Sequence, residues 1–402
     1  VILLKVYLRL DKWYNVGAMR RRIKPFFVYL FFAFVILGLV YANQQNQQAT
    51  EARVEKTEAM INKSETDDKN KVIADRLATM TLEEKVGQLF WARVPYSQQI
   101  EDIKSYHLGG YLLFGKDFEG QTLESMKALT DSYQATSKVP LLIGSDEDGG
   151  TVTRISSILD TPFQSPMTLY QNGGLEAIVA DTKSKAETLK SVGINAGLFP
   201  VADLATEPSA FMFDRTIGQD AQTTATYVEQ VVQELGKNGL GSTLKHFPGY
   251  GNNGDSHTAI IHDNRSLEEL RQTDFIPFQA GLNAGADSVL VSHNILSQLD
   301  TVPSSISPKI NDILRNELNF KGVIMTDDLE MAGLADFVDQ DQAALQVILA
   351  GNDLILGSSY QTQIPYLLQK VATGELTEER IDESVKRILS WKYDLGLLPS
   401  SQ

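Results

Sequence analysis

The chain has 402 residues, 43 % of them hydrophobic and 22 % charged, which is enough to bury a large core in one or two domains. It contains no cysteine, and this excludes disulfides, thiolate nucleophiles and thiolate metal ligands. The net charge of −15 is uneven, with +6 on residues 1–42 and −21 on the rest, and an acidic body of this size argues against a nucleic-acid partner.

The first part of the chain has the pattern of a membrane-targeting segment. Residues 1–24 are basic, and an initiator at Met19 would be followed at once by three arginines. Residues 25–42 are an apolar run, which fits an uncleaved signal-anchor that spans the membrane, or a secretory signal that is cleaved. By the positive-inside rule, both readings place the rest of the chain outside the cytoplasm, at the cell surface or secreted.

A polar segment follows the apolar run. Residues 43–71 contain few large apolar side chains, which predicts a tether that is partly helical at most. The folded body is expected to start near Val72 and to extend to residue 398 as a single catalytic domain. The sequence Thr81-Leu82-Glu83-Glu84 has the pattern of a capping box and predicts that a helix starts there.

From this point short apolar runs alternate with helical patterns. This alternation predicts an α/β protein, a (β/α)8 TIM-type barrel. The alternative is an open doubly wound sheet, but no glycine-rich phosphate fingerprint follows the first strand. The predicted strands are residues 87–91, 109–114, 140–144, 194–199, 242–246, 288–292, 322–325 and 353–356. The predicted helices include residues 123–137, 178–192, 224–238, 267–284, 308–318, 342–350, 364–372 and 377–393.

Charged and titratable side chains follow five of the predicted strands. In a (β/α)8 barrel, chemistry lies just past the carboxyl ends of the strands. Any one of these residues could be a helix cap or part of a surface ion pair, but together they predict one active site at the barrel mouth. In chain order they are Asp146, Asp148 and Arg154; Asp203 and Arg215; Lys245, His246, Asp255 and His257; His293; and Asp327 and Asp328.

Three of these side chains have the pattern of a nucleophile and an acid/base pair. Asp327 ends an apolar strand, and a carboxylate on a rigid strand suits a nucleophile. Asp255 and His257 are two residues apart, so the carboxylate can bind one imidazole nitrogen and leave the other for proton exchange with a substrate. We expect Lys245 and His246 to be fixed at the strand end, whereas the Gly- and Asn-rich residues 251–254 allow the acid/base pair to move.

A metal site is the main alternative for the same residues. His246, Asp255, His257, His293 and Asp327 could supply imidazole and carboxylate ligands. However, no His-x-His pair follows the first strand, and the lysine beside His246 would be a poor neighbour for a divalent ion. We therefore predict neither a metal nor a cofactor.

Two segments carry motifs that are specific in combination. Residues 245–251 read Lys-His-Phe-Pro-Gly-x-Gly, with Asp-Ser-His at 255–257, and residues 326–331 read Thr-Asp-Asp-Leu-x-Met. These motifs resemble glycoside hydrolase family 3, in its β-N-acetylglucosaminidase (β-N-acetylhexosaminidase) branch. The resemblance extends over residues 77–398 and implies the same (β/α)8 fold. Supporting matches are residues 145–150, 199–203, 214–218 and 350–353.

The resemblance also implies roles for individual residues. Asp327 would be the nucleophile that forms a glycosyl-enzyme intermediate, and His257, oriented by Asp255, would be general acid and then general base. The reaction would retain configuration by double displacement. The side chains implied to bind hydroxyls of a terminal N-acetylglucosamine are Asp146, Arg154, Arg215, Lys245 and His246.

The sequence departs from the common family pattern at several positions. Tyr250 stands where histidine is frequent, and the segment from Gly251 to Asp255 is one residue shorter than usual. Asp148 replaces a glutamate, and Thr151 replaces an arginine. These departures concern the subsites and the loop more than the chemistry.

The predicted function is a retaining, exo-acting β-N-acetylglucosaminidase that releases terminal β-linked GlcNAc, with peptidoglycan fragments as the expected substrate. Alternatives are a β-glucosidase, or a GlcNAc phosphorylase, since a histidine acid/base would let phosphate compete with water. A non-catalytic wall-binding barrel is a further alternative. The expected partners are carbohydrate and membrane, with no nucleic acid, and the chain is expected to be a monomer.

Overall fold

The computed structural model describes residues 20–399, and its contacts divide the chain into two units at Asp68. The first unit consists of most of helix α1, Arg20–Ala78. Its stretch Phe27–Gln45 is long and apolar enough to cross a membrane. Residues 1–19, with most of the predicted basic segment and the proposed start at Met19, lie outside the described residues.

The polar segment after the apolar run is more helical than its composition predicts. We expected residues 43–71 to be partly helical at most, but helix α1 is continuous through them. The segment contains neither proline nor glycine and is rich in Gln, Glu, Lys and Ala, which lose little side-chain freedom in a helix. The prediction weighed polarity and gave too little weight to helix propensity.

The second unit contains eight strands of a barrel and two short strands in its loops. The barrel strands are β1 (Phe90–Arg93), β2 (Gly110–Leu113), β3 (Leu142–Ser145), β4 (Ala196–Gly197), β5 (Thr243–Phe247), β7 (Ser288–Val291), β9 (Val323–Thr326) and β10 (Ile355–Gly357). The loop strands are β6 (His262–Asp263) and β8 (Ile295–Leu296). All eight predicted strands are present, with ends that differ by at most three residues.

Helices connect the barrel strands. Those before β4 are α2 (Leu82–Gln88), α3 (Gln99–Tyr106), α4 (Gly115–Phe118), α5 (Leu123–Thr136) and α6 (Pro166–Ser191). Those after β4 are α7 (Ala221–Lys237), α8 (Leu267–Gln272), α9 (Phe275–Asn283), α10 (Pro308–Asp312), α11 (Ala332–Ala335), α12 (Gln340–Ala350), α13 (Tyr360–Ala372) and α14 (Glu378–Asp394). A π turn at Ile313–Glu317 continues α10.

Local capping and proline chemistry explain where some elements begin and end. Thr81 and Glu84 form the predicted capping box at the start of α2, and that helix continues through Gln88, so β1 starts later than predicted. The helix predicted over residues 267–284 is two helices, because Pro277 lacks an N–H and is tolerated only in the first turn of α9.

Parallel pairing closes the barrel. The strands form two sheets, in the orders β10-β1-β2-β3-β4 and β5-β7-β9. Parallel bridges from Ala196 to Gly241 and from Met325 to Leu354 join these sheets at both seams. The carboxyl ends of all eight strands therefore meet at one mouth, as the predicted (β/α)8 fold requires.

Large side chains fill the space between the strands. Trp91 of β1 lies against Gly144 of β3, where an added Cβ would come within 2.0 Å of the indole. The same indole packs edge-on against Trp391 of α14, with ring centroids 5.7 Å apart. Because this interior is packed, substrate chemistry is confined to the mouth.

Lys392 is a fully buried lysine in α14. Its Nζ donates a 2.6 Å hydrogen bond to Gln88 Oε1, and burial lowers its pKa to about 7. An unfolded lysine has a pKa of about 10.4. Between these values the unfolded chain binds a proton that the folded chain lacks, so the stability rises with pH through this window and is lost as the pH falls toward 7.

We expect Lys392→Met to reduce this pH dependence. Between pH 7 and pH 9 the free energy of unfolding of the wild type should rise by about 2–3 kcal/mol relative to the variant. Denaturant unfolding at the two pH values measures the difference. Lys386→Met, at an exposed position of the same helix, is the matched control and should follow the wild type; an equal pH dependence in all three proteins would contradict the prediction.

Candidate active site

The residues predicted for chemistry lie at the mouth, on or after the ends of four strands. Asp146 and Asp327 directly follow β3 and β9. Lys245 and His246 belong to β5, and Asp255 and His257 lie in the loop that follows it. Arg154 and Arg215 come from the loops after β3 and β4. The barrel thus places all eight predicted site residues on one face.

A network of charges joins four of the five predicted sugar-binding residues; Lys245 and Arg215 are buried in it, and Asp146 and Arg154 are partly exposed. Lys245 Nζ lies 2.5 Å from Asp146 Oδ1 and 2.9 Å from Asp148 Oδ1. Arg154 Nη2 donates to Asp146 Oδ2 at 3.3 Å, and Arg215 Nη2 donates to Asp148 Oδ2 at 2.9 Å. Asp148, which the sequence placed at the mouth without an individual role, is the carboxylate that connects Arg215 with Lys245.

The network keeps Asp146 ionised. Burial acts to raise the pKa of Asp146, but the charges of Lys245, Arg154 and Arg215 outweigh it and lower the pKa below its ordinary value. An ionised carboxylate beside an ammonium and a guanidinium offers both acceptors and donors to the hydroxyls of a sugar.

His246 is held by a second buried carboxylate. Its Nδ1 lies 2.7 Å from Asp203 Oδ2, and its backbone N–H donates to the same oxygen at 3.1 Å. Asp203 is fully buried, so the imidazole orientation is fixed. The register of β5 against β7 shifts between Lys245 and Phe247, and this irregularity leaves His246 outside the regular strand pairing.

Asp255 and His257 form the pair that their spacing predicts. Asp255 Oδ1 lies 2.6 Å from His257 Nδ1 and accepts the backbone N–H of His257 at 2.9 Å. The His257 side chain is 51 % exposed, against 2 % for Lys245. With Nδ1 engaged by the carboxylate, Nε2 is the nitrogen available for proton exchange.

Asp327 is partly exposed and fixed by the backbone. Its N–H donates to Val291 O of β7 at 2.8 Å, and its Oδ1 accepts the N–H of Asp328 at 2.9 Å. Burial acts to raise its pKa, but the imidazoles of His246, His293 and His257 and this backbone hydrogen bond lower the pKa below the ordinary value. The group is therefore a carboxylate at neutral pH, as a nucleophile must be.

The neighbouring carboxylate has a different environment. Asp328 is buried and bound by the guanidinium of Arg93 at the end of β1, and burial raises its pKa to about 6 even though Arg93 opposes the shift. Arg93 could not be predicted as a partner of Asp328, because the two residues lie 235 positions apart in the chain. Two adjacent aspartates thus differ in pKa, and only Asp327 is positioned as the strand-end carboxylate.

His293 stabilises the segment after β9 through both of its ring nitrogens. Its Nδ1 lies 2.8 Å from Ser305 Oγ, and its Nε2 lies 2.8 Å from Asp328 O. Burial is the main cause that lowers its pKa. Both ring nitrogens are occupied by protein oxygens, so His293 is poorly placed to be a metal ligand. Within residues 20–399, no group of three or more His, Asp or Glu has the arrangement of a metal site.

A (β/α)8 barrel whose mouth holds an ionised carboxylate, an Asp–His pair and a cluster of carboxylates and cations has the make-up of an enzyme for a hydroxyl-rich substrate. The family model described as the glycosyl hydrolase family 3 N-terminal domain matches residues 81–391. The chain belongs to glycoside hydrolase family 3, and both the predicted family and the predicted fold are confirmed.

Individual relatives agree with this assignment. A protein from Cellulomonas fimi, named beta-N-acetylglucosaminidase/beta-glucosidase, is 30 % identical over 80 % of this chain and 59 % of its own length. A beta-hexosaminidase from Stenotrophomonas maltophilia (strain R551-3) is 34 % identical over 72 % of this chain and 84 % of its own length. The family 3 beta-N-acetylglucosaminidase structure from Paenibacillus sp. str. FPU-7 aligns with a TM-score of 0.75 at 30 % identity, over 81 % of this chain and 64 % of that one. The chain therefore spans less than two thirds of the first and third of these proteins.

Proposed function

We propose that this protein is a retaining, exo-acting β-N-acetylglucosaminidase that releases terminal β-linked GlcNAc. The observation that carries the proposal is the ionised Asp327 at the end of β9, in a mouth that also holds the Asp255–His257 pair. The names of the relatives support the choice of sugar. The network of carboxylates and cations around Asp146 also agrees with a sugar substrate, because it offers hydrogen-bond acceptors and donors to hydroxyl groups.

The proposed reaction has two displacements. In the first, the carboxylate of Asp327 attacks the anomeric carbon while His257 donates a proton to the leaving oxygen, and the glycosidic bond breaks. In the second, His257 accepts a proton from water as the water oxygen attacks the anomeric carbon, and Asp327 is released as a carboxylate. Two inversions give net retention, and the protons balance because His257 returns to its starting state.

The network of Asp146, Arg154, Arg215 and Lys245, together with His246, is proposed to hold the terminal sugar. The side chain of Lys245 is only 2 % exposed and contacts two carboxylates, so its position is fixed before the sugar arrives. Fixed donors and acceptors lose little freedom on binding, which favours a precise position of the anomeric carbon relative to Asp327.

The natural substrate and the location are part of the same proposal. The apolar stretch Phe27–Gln45 supports an N-terminal segment in the membrane, or a signal that is cleaved, and so a catalytic body outside the cytoplasm. At the cell surface the GlcNAc-containing polymers within reach include peptidoglycan, and fragments of peptidoglycan are the proposed substrate. A monomer is sufficient, because one chain supplies every proposed catalytic residue.

The proposal predicts preference for GlcNAc over glucose. We expect kcat/KM for an aryl β-N-acetylglucosaminide to exceed that for the matched β-glucoside by at least ~10-fold, and the first-formed sugar to be the β anomer by NMR. The Cellulomonas fimi relative carries both activities in its name, so equal or reversed kinetics would favour a β-glucosidase. Product analysis on a GlcNAc–MurNAc disaccharide, with and without phosphate, separates free GlcNAc from GlcNAc 1-phosphate.

A further inference from the structure

Tyr250 lies between the sugar-binding residues of β5 and the Asp255–His257 pair. Its side chain is 1 % exposed and belongs to neither proposed group. Burial, followed by the nearby charge of Asp327, raises its pKa above the ordinary value, so the phenol is neutral at the pH values at which the enzyme would work. A buried neutral phenol requires a hydrogen-bond partner.

The backbone and the ring of Tyr250 contact the residues around His246, which is one of the proposed sugar-binding residues. Its backbone N–H donates to Asp203 Oδ1 at 2.8 Å, and the other oxygen of that carboxylate holds the His246 imidazole. The Tyr250 ring also packs edge-on against His246, with centroids 5.2 Å apart. A displacement of Tyr250 would therefore also displace the imidazole of His246.

The other end of Tyr250 reaches the acid/base loop. Its hydroxyl forms a hydrogen bond with Ser256 Oγ and accepts the Ser256 backbone N–H at 3.3 Å. Ser256 is fully buried, although it stands between Asp255 and His257, which are both partly exposed. The acid/base pair thus flanks one buried anchor residue, and that anchor is bound to Tyr250.

The anchor is also tied to the segment that follows Asp327. Ser256 O accepts the N–H of Gly333 at 2.9 Å, and His257 O accepts the N–H of Ala332 at 3.3 Å. The approach is close: a Cβ on Gly333 would lie 3.0 Å from Ser256 O and 3.2 Å from His293 Cβ. Ser256 therefore joins the acid/base loop to the nucleophile segment on one side and to Tyr250 on the other.

We infer that the hydroxyl pair of Tyr250 and Ser256 is a positioning device for the reaction. It fixes the loop between Asp255 and His257 relative to the sugar held by His246 and the carboxylate of Asp327, so that His257 meets the glycosidic oxygen. This inference rests on the proposed function. Both side chains are buried and their hydroxyls bind each other, so their contribution should appear in proton transfer and not in binding of the sugar.

Removal of either hydroxyl tests the inference. For Tyr250→Phe and Ser256→Ala, we expect kcat/KM on an aryl β-N-acetylglucosaminide with a poor leaving group to fall about 10- to 100-fold, because a misplaced acid loses part of its 10²–10⁴-fold contribution. With a strongly acidic leaving group, which departs without a proton, the loss should be under about 3-fold. Competitive inhibition by GlcNAc should be unchanged, and the double variant should lose little more than either single variant.

The control is Tyr366→Phe, which removes a hydroxyl that binds Gln342 on the outer helices α12 and α13; it should behave as the wild type. An equal loss on both substrates would show a merely structural role and overturn the inference, as would no loss on either. If Tyr250→Phe fails to fold, Ser256→Ala tests the same hydrogen bond from the other side. His257→Ala distinguishes failure of this inference from failure of the proposed function. If the loss of kcat/KM in His257→Ala depends on the leaving group but the loss in the hydroxyl variants does not, only the positioning role is wrong. If the loss in His257→Ala does not depend on the leaving group, the proposed function is wrong.

Discussion

Asp327→Ala is expected to lower kcat/KM on an aryl β-N-acetylglucosaminide by about 10⁴-fold or more. The wild-type carboxylate is ionised because nearby imidazoles and the N–H of Asp328 outweigh the effect of burial on its pKa. Without it the proposed covalent intermediate cannot form, and the surrounding imidazoles lose the negative charge that they face. Steady-state kinetics measures the loss, and thermal unfolding of the variant establishes that the barrel is intact.

Added azide makes this experiment more specific. In Asp327→Ala the space left by the carboxylate can admit azide, which would attack the anomeric carbon from the side of the missing nucleophile and give an α-glycosyl azide. Asp336→Ala, at an exposed position nine residues further along the chain and directly after α11, is the matched control and should keep wild-type activity. Activity above about one tenth of the wild type in Asp327→Ala would show that another group is the nucleophile.

Features that depend on neighbouring residues could be predicted from the sequence. The eight strands follow from short apolar runs, and the capping box at Thr81 depends on residues three positions apart. The Asp255–His257 pair is likewise a local contact, so its i, i+2 spacing was enough to predict it. The position of Asp327 at a strand end followed from the apolar residues before it.

Contacts between distant residues could not be predicted in this way. Asp203 reaches His246 across 43 positions, and Arg93 reaches Asp328 across 235. Such pairs depend on strand register and on the shift in β5, which a single sequence does not specify. For the same reason the sequence pointed to residues 251–254 as a hinge but did not reveal that Ser256, only a few residues further on, is buried and bound on two sides.

His257→Ala is expected to produce a loss that depends on the leaving group. General acid catalysis contributes about 10²–10⁴-fold, so kcat/KM should fall by that factor on a substrate with a poor leaving group and stay near the wild-type value on one with a strongly acidic leaving group. The physical reason is that an acidic phenol leaves as an anion and needs no proton. A series of substituted aryl β-N-acetylglucosaminides gives the dependence as the slope of log kcat/KM against leaving-group pKa.

The second half of the reaction gives an independent test on the same variant. His257 is half exposed and engaged at Nδ1 by Asp255, so its loss removes the proposed base for water without disturbing the charge network at Lys245. Azide needs no base, and it would intercept the intermediate on Asp327 from the opposite face to give a β-glycosyl azide, the reverse of the product from Asp327→Ala. His262→Ala, an exposed histidine of β6, is the matched control. A leaving-group slope equal to that of the wild type, together with the absence of the β-glycosyl azide, would show that His257 is not part of the mechanism. Opposite azide anomers from the two variants would place Asp327 and His257 on opposite sides of one anomeric carbon.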